Sequence, residues 1–147
     1  QAMNYLNFKT LRNLLGVWIC LFLLSCSPTS EIQIEHLAGY WEIEFISQKG
    51  EKFVPKTSTP LYDHYQINYP EGILKKVAPR FDGSFVASED ATPFQIEKLD
   101  KNYYIRFQSR WDEWSRKIIF LDSQKLILEN NDRVFYYKRP VLCRSPV

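Results

Sequence analysis

Tyr103-Tyr104-Ile105-Arg106-Phe107-Gln108-Ser109-Arg110-Trp111-Asp112-Glu113-Trp114-Ser115-Arg116-Lys117-Ile118-Ile119-Phe120-Leu121 decides the fold of this chain. Tyr103, Ile105 and Phe107 alternate with Tyr104, Arg106 and Gln108, the period of a strand with one dry face and one wet face. Trp111-Asp112-Glu113 then turns the chain, and a second strand runs from Trp114 to Leu121. Asp122-Ser123 turns it again, and Leu126 and Leu128 sit in a third strand. Asn130-Asn131-Asp132 predicts a hairpin, because Asn and Asp tolerate positive φ. A final strand covers Arg133 to Arg139 and stops at Pro140, which cannot donate to a ladder.

The same period runs upstream. Trp41, Ile43 and Phe45 alternate with Glu42 and Glu44; Tyr65, Ile67 and Tyr69 alternate with Gln66 and Asn68; Phe94 and Ile96 alternate with Gln95 and Glu97. Only residues 30–39 leave room for a helical turn. The runs add up to an all-β, antiparallel up-and-down meander of eight or nine strands, and an aromatic share of 16% suits that class. A meander this long must manage its edges, and closure into a barrel removes them. The expected architecture is therefore a barrel over residues 37–140, with residues 141–147 as a tail.

The amino-terminal part reads differently. Gln1 and Ala2 precede Met3, which reads as the natural start; Lys9 and Arg12 then form a positive region. Leu14 to Leu24 form an apolar run of about eleven residues, typical of a secretory signal and too short to span a bilayer. Leu23-Leu24-Ser25-Cys26 resembles a bacterial lipobox. That resemblance implies a signal peptide over residues 1–25, removed by cleavage, and acyl chains on Cys26. Residues 26–36 would be the lipidated cysteine and its tether. Two or more acyl chains hold a protein stably on a membrane, at about 0.8 kcal/mol per buried methylene. Ser27, rather than Asp, after the lipidated cysteine resembles lipoproteins sent to the outer membrane. The address expected is the outer membrane, lipid-anchored and facing the periplasm.

Cleavage before Cys26 leaves 122 residues, enough for one domain with a core. Lys9 and Arg12 leave with the signal, so seventeen basic residues face seventeen acidic ones and the domain is formally neutral. No clustered positive face speaks for nucleic acid. Lys75-Lys76 and Arg80 read as a solvated strand edge. With Cys20 removed and Cys26 acylated, Cys143 is left without an internal disulfide partner.

Leu37-Ala38-Gly39-Tyr40-Trp41, opening the first strand, resembles the Gly-x-Trp signature of lipocalins and of short bacterial lipocalin-like lipoproteins. Phe135-x-Tyr137-x-Arg139 is similar to the closing strand of those domains, and Phe94-x-Ile96 followed by Leu99-Asp100-Lys101 and Tyr103-x-Ile105 to their central hairpin. The resemblance implies that Arg139 packs across Trp41 and closes one barrel end. It also implies a calyx for a small hydrophobic ligand, with Tyr65, Tyr69, Phe94, Tyr103, Phe107, Ile118, Phe120 and Tyr137 as lining candidates. The same side chains could instead fill a small barrel completely.

Catalytic patterns are scarce. His36 and His64 stand apart, no His/Cys grouping has metal-ligand spacing, and Gly-x-Ser-x-Gly is absent. No cofactor and no metal are expected. Asp112-Glu113 between Trp111 and Trp114 reads as a hairpin tip, with a sugar site as its sharper alternative. The expected function is non-catalytic: an envelope lipoprotein binding a small hydrophobic molecule or envelope component. The alternative is a protein-interaction module acting through the loop after Gly50, which holds Pro55, Lys56 and Thr57-Ser58-Thr59-Pro60.

Overall fold

A computed structural model describes residues 9–18 and 31–141. The chain divides into one unit over residues 1–31 and a second over residues 32–147. Residues 9–18 are helical. Cys20, the lipobox residues Leu23 to Cys26, and Cys143 lie outside the described residues. Among those described, no helix is long and apolar enough to cross a membrane.

In the second unit a single 3-10 turn, Ile34–Leu37, precedes nine strands among the described residues: β1 Gly39–Gln48, β2 Glu51–Phe53, β3 Tyr62–Asn68, β4 Glu71–Pro79, β5 Phe85–Leu99, β6 Asn102–Gln108, β7 Glu113–Leu121, β8 Lys125–Asn130 and β9 Arg133–Lys138. All pairings are antiparallel. From β3 onward each strand lies beside the next, and β9 returns to β1. Eight strands thus close a ring, while β2 is a short extra strand on the far half of β1. The meander expected from periodicity is therefore closed. Two of its turns place residues that tolerate left-handed backbone, Asp100 and Asn131, at positive φ, and Lys49 also has positive φ beside Gly50.

Two of the three register shifts, the third being between Lys75 and Val77 of β4, decide the facing of sequence candidates. In β1 the register against β9 shifts between Ile43 and Phe45. Ile43 stays against the core, whereas Phe45 turns outward and stacks on Tyr136 at 4.2 Å. In β7 the register shifts between Ile118 and Phe120. Ile118 is buried, Ile119 and Phe120 both reach solvent, and Leu121 returns to the interior. Phe120, expected to line the barrel, therefore lies outside it, because one extra residue reverses the alternation.

The interior is one continuous cluster. Trp41, Tyr65, Phe94, Ile96, Tyr103, Ile105, Phe107, Ile118, Leu126, Leu128 and Tyr137 pack together, and half-buried Leu74 adds the β4 wall. Tyr65, Phe94 and Phe107 meet edge to face with centroids 5.7 and 5.8 Å apart, and Trp114 stacks on Phe107 at 5.3 Å. Gly72 stands opposite Phe94 and must be glycine, since a Cβ there would lie 2.2 Å from Phe94 Cζ.

One end of the ring is plugged. Arg139 follows β9 and lays its guanidinium 3.7 Å above the Trp41 ring. It donates to the carbonyls of His36, Ala38, Tyr40 and Ser123 at 2.6 to 3.2 Å. Trp41 Nε1 donates to Leu37 O at 2.8 Å. Gly39 makes this approach possible: its φ is +106°, and an added Cβ would sit 3.0 Å from Arg139 Nη1. Leu37, the last residue of the 3-10 turn, is fully buried. Arg139→Met keeps much of the packing but strips donors from four carbonyls, and should cost about 2–3 kcal/mol of unfolding free energy. Urea denaturation with an unchanged m-value checks this.

Candidate functional site

Strand alternation brings charge into the barrel as well as apolar side chains. Asp63 stands on β3 between Trp41 of β1 and Lys76 of β4, directly opposite each. Its residue is only 3% exposed. Lys76 Nζ donates to its carboxylate from a side chain that is 59% exposed, so Lys76 keeps the solvated position expected of it while pairing with a buried acid. Arg116 occupies the inward period of β7 between Trp114 and Ile118. Its guanidinium sits 4.3 Å from the Phe135 ring centre and 5.6 Å from that of Phe107.

Two phenols join these charges. Arg116 Nη1 donates to Tyr137 Oη at 3.2 Å. The Asp63 carboxylate lies near enough to act on the Tyr137 hydroxyl electrostatically, which couples the Lys76–Asp63 pair to Tyr137 and Arg116. Burial pushes the Tyr137 hydroxyl far above its ordinary pKa, and the Asp63 charge adds to the effect. Tyr65 is raised well above its ordinary value as well, first by burial and then by Tyr137 and Asp63. Both phenols therefore stay protonated donors at any physiological pH. Among the described residues, two enclosed polar side-chain atoms have no hydrogen-bond partner: Tyr65 Oη and Arg116 Nε.

A cleft opens at the plugged end. It has a volume of about 550 Å³ and is lined by Ile34, Glu35, Ala38, Ile67, Tyr69 and Tyr103. Ile67 and Tyr103 are inward-facing residues whose side chains form part of the core surface. Tyr69 follows the last residue of β3 and is 56% exposed, so it borders this cleft instead of lining the barrel interior as expected. A second concavity of about 630 Å³ lies over Gly72, Ile73 and Phe94, with Gln66, Gln95 and Gln108 around it.

The other sequence candidates are separated in space or occupied structurally. Asp112 caps its own turn: its carbonyl accepts from Ser109 and its carboxylate from the Glu113 amide. Glu113 pairs with Arg106 at 3.1 Å. Trp111 projects into solvent, while Trp114 turns inward. No group of three His, Cys, Asp or Glu side chains among the described residues could hold a metal ion. Residues 51–61, which comprise β2 and the loop that follows it, are exposed throughout.

His64 is held in an aromatic stack. It stacks on Tyr40 at 4.1 Å, Tyr40 stacks on Phe85 at 4.7 Å, and together they cover the outer wall of β3. Desolvation lowers its pKa below 6.5, and Lys75 directly across the ladder lowers it further. The folded chain thus keeps His64 neutral where the unfolded chain would protonate it. This contribution to stability is present above pH 6.5 and is lost as pH falls below that value. Proton NMR should give a His64 midpoint under 6.5 that rises in Lys75→Gln, with desolvation holding it short of the free value.

No protein-family model matches this chain. No curated protein is significantly similar to it. Among solved structures it is similar to a lipocalin-like protein from Bacteroides uniformis, at 13% identity and a TM-score of 0.46, over 71% of this chain and 98% of the other. It is also similar to an uncharacterized protein from Bacteroides eggerthii, at 11% identity and a TM-score of 0.45, over 70% and 98%.

Proposed function

We propose that this chain is a non-catalytic, lipocalin-like envelope lipoprotein that holds a small hydrophobic molecule or envelope component in its barrel. The observation that carries this reading is the cleft beside the 3-10 turn. Its walls are Ile34, Ala38, Ile67, Tyr69 and Tyr103, with Glu35 the one ionisable carboxylate among them. About 550 Å³ is within the usual span for small-molecule sites, which are mostly apolar with a few polar groups. Ile67 and Tyr103 place the floor of the cleft on the core itself, so an apolar guest would extend the packing already present.

Anchoring at the outer membrane through acyl chains on Cys26, with the domain facing the periplasm, is the address that fits the lipobox-like stretch. The non-catalytic reading is supported by the turn roles of Asp112 and Glu113, whose carboxylates serve the hairpin and a surface ion pair. The exposed segment over residues 51–61 supports a second reading, an interaction module for another envelope protein.

Native mass spectrometry of the intact chain, released gently from bacterial membranes, tests both halves of the proposal. The expected result is a diacylglyceryl mass on Cys26 that disappears in Cys26→Ser, together with a bound small molecule whose occupancy falls in Tyr103→Ala. A chain that is unacylated, or reproducibly empty, contradicts the corresponding half. A stoichiometric protein partner lost on shortening residues 54–60 favours the second reading.

A further inference from the structure

We propose that the outer wall formed by β3, β4, β5 and β6 is a binding site of its own, and that its ligand is a neutral oligosaccharide. The inference goes beyond the ligand-holding role of the barrel and does not depend on it. Cross-strand register arranges this wall in two rows. In the first, Gln66 of β3 faces Ile73 of β4, and Ile73 faces Pro93 of β5. Gln108 follows Phe107, the partner of Phe94, and so ends that row on β6. In the second, Asn68, Glu71, Gln95 and Arg106 are partners in turn across the same four strands. All eight residues are exposed, because Ile67, Phe94, Ile105 and Phe107 beside them take the inward phase. The rows border the concavity of about 630 Å³, a volume within the usual span for small-molecule sites.

The chemistry of the rows selects the ligand. Ile73, 41% exposed, and Pro93 form an aliphatic floor in the middle of the first row. Gln66 and Gln108 stand at its two ends, three strand spacings or about 14 Å apart. A carboxamide both donates and accepts, which matches a hydroxyl group and gives no preference to an ion. Sugar rings present that same combination, apolar C–H faces rimmed by hydroxyls. A floor of this length takes several linked rings rather than one. Arg106, the cation of the second row, is held by Glu97 at 2.8 Å and by Glu113 at 3.1 Å. Its charge is met within the protein, so it offers no surplus to a phosphate or a carboxylate. Glu71 opposes an anion as well, and its carboxylate can accept from sugar hydroxyls.

The test titrates the intact 15N-labelled chain, in phosphocholine micelles, with chitotriose, maltotriose and cellotriose. It is read on the side-chain amide resonances of Gln66, Gln95 and Gln108. The expected result is a saturable shift of these resonances with at least one trisaccharide, at a dissociation constant of about 1 mM or tighter. Trigalacturonate, matched in length but anionic, should bind several-fold more weakly. The double variant Gln66→Ala, Gln108→Ala should weaken saccharide binding about tenfold through lost hydrogen bonds. Its unfolding midpoint should hold, because both side chains are exposed. Gln124→Ala, which removes an exposed amide on the β7–β8 turn, should leave binding unchanged. No saturable shift with any neutral trisaccharide, binding that survives the double variant, or equal or tighter binding of trigalacturonate overturns the inference. Each of those outcomes leaves the barrel's ligand-holding role standing, since that role rests on the cleft at the plugged end.

Discussion

The return of β9 to β1 is the constraint on which the rest of this molecule depends. Without it the meander would be an open sheet with two exposed ladders, and its inward face would have nothing to pack against. Closure costs long-range order, since the paired strands lie almost a hundred residues apart. The Arg139 fork offsets this at one end by gathering carbonyls from the segment before β1, from β1 and from the β7–β8 turn. Trp41 gives that cation a face to lie on, and Gly39 leaves the space for it. Desolvation in this arrangement draws the Arg139 pKa below its ordinary value, although the group remains a cation.

Closure also explains why the interior tolerates charge. In an open sheet Asp63 and Arg116 would lie on a face free to rehydrate. In a ring, the inward side chains of opposite walls must answer each other. Lys76 answers Asp63, and Tyr137 links that pair to Arg116. Apolar rings from β5, β6 and β7 pack the remainder of the space. The result is a mostly packed barrel with a cleft at the plugged end and a polar path through its middle.

Much of this was legible in the sequence. Period-two alternation placed Trp41, Tyr65, Phe94, Tyr103, Phe107, Ile118 and Tyr137 inside, and all seven are buried. It misplaced Phe120 because a bulge adds a residue that periodicity does not reveal, and Tyr69 because β3 ends one residue earlier. The polar cluster was the harder part. Asp63 shares the phase of Tyr65, and Arg116 shares that of Trp114 and Ile118, so the pattern put both inside. Their charge argued for solvent, and composition alone cannot tell when a cross-strand partner will answer it. Lys76 reads as a surface lysine and is one, its side chain 59% exposed, yet its ammonium reaches Asp63. The resemblance to lipocalin-like domains marked the two ends of the ring but said nothing of the path between them.

Native-state hydrogen exchange by NMR at the β1–β9 seam tests closure most directly. The account predicts strong protection of amides in Ile43 to Gln48 and Arg133 to Lys138, with NOEs between facing residues such as Ile43 and Tyr137. Rapid exchange along both strands, with no cross-seam NOE, would mean an open sheet and would contradict it.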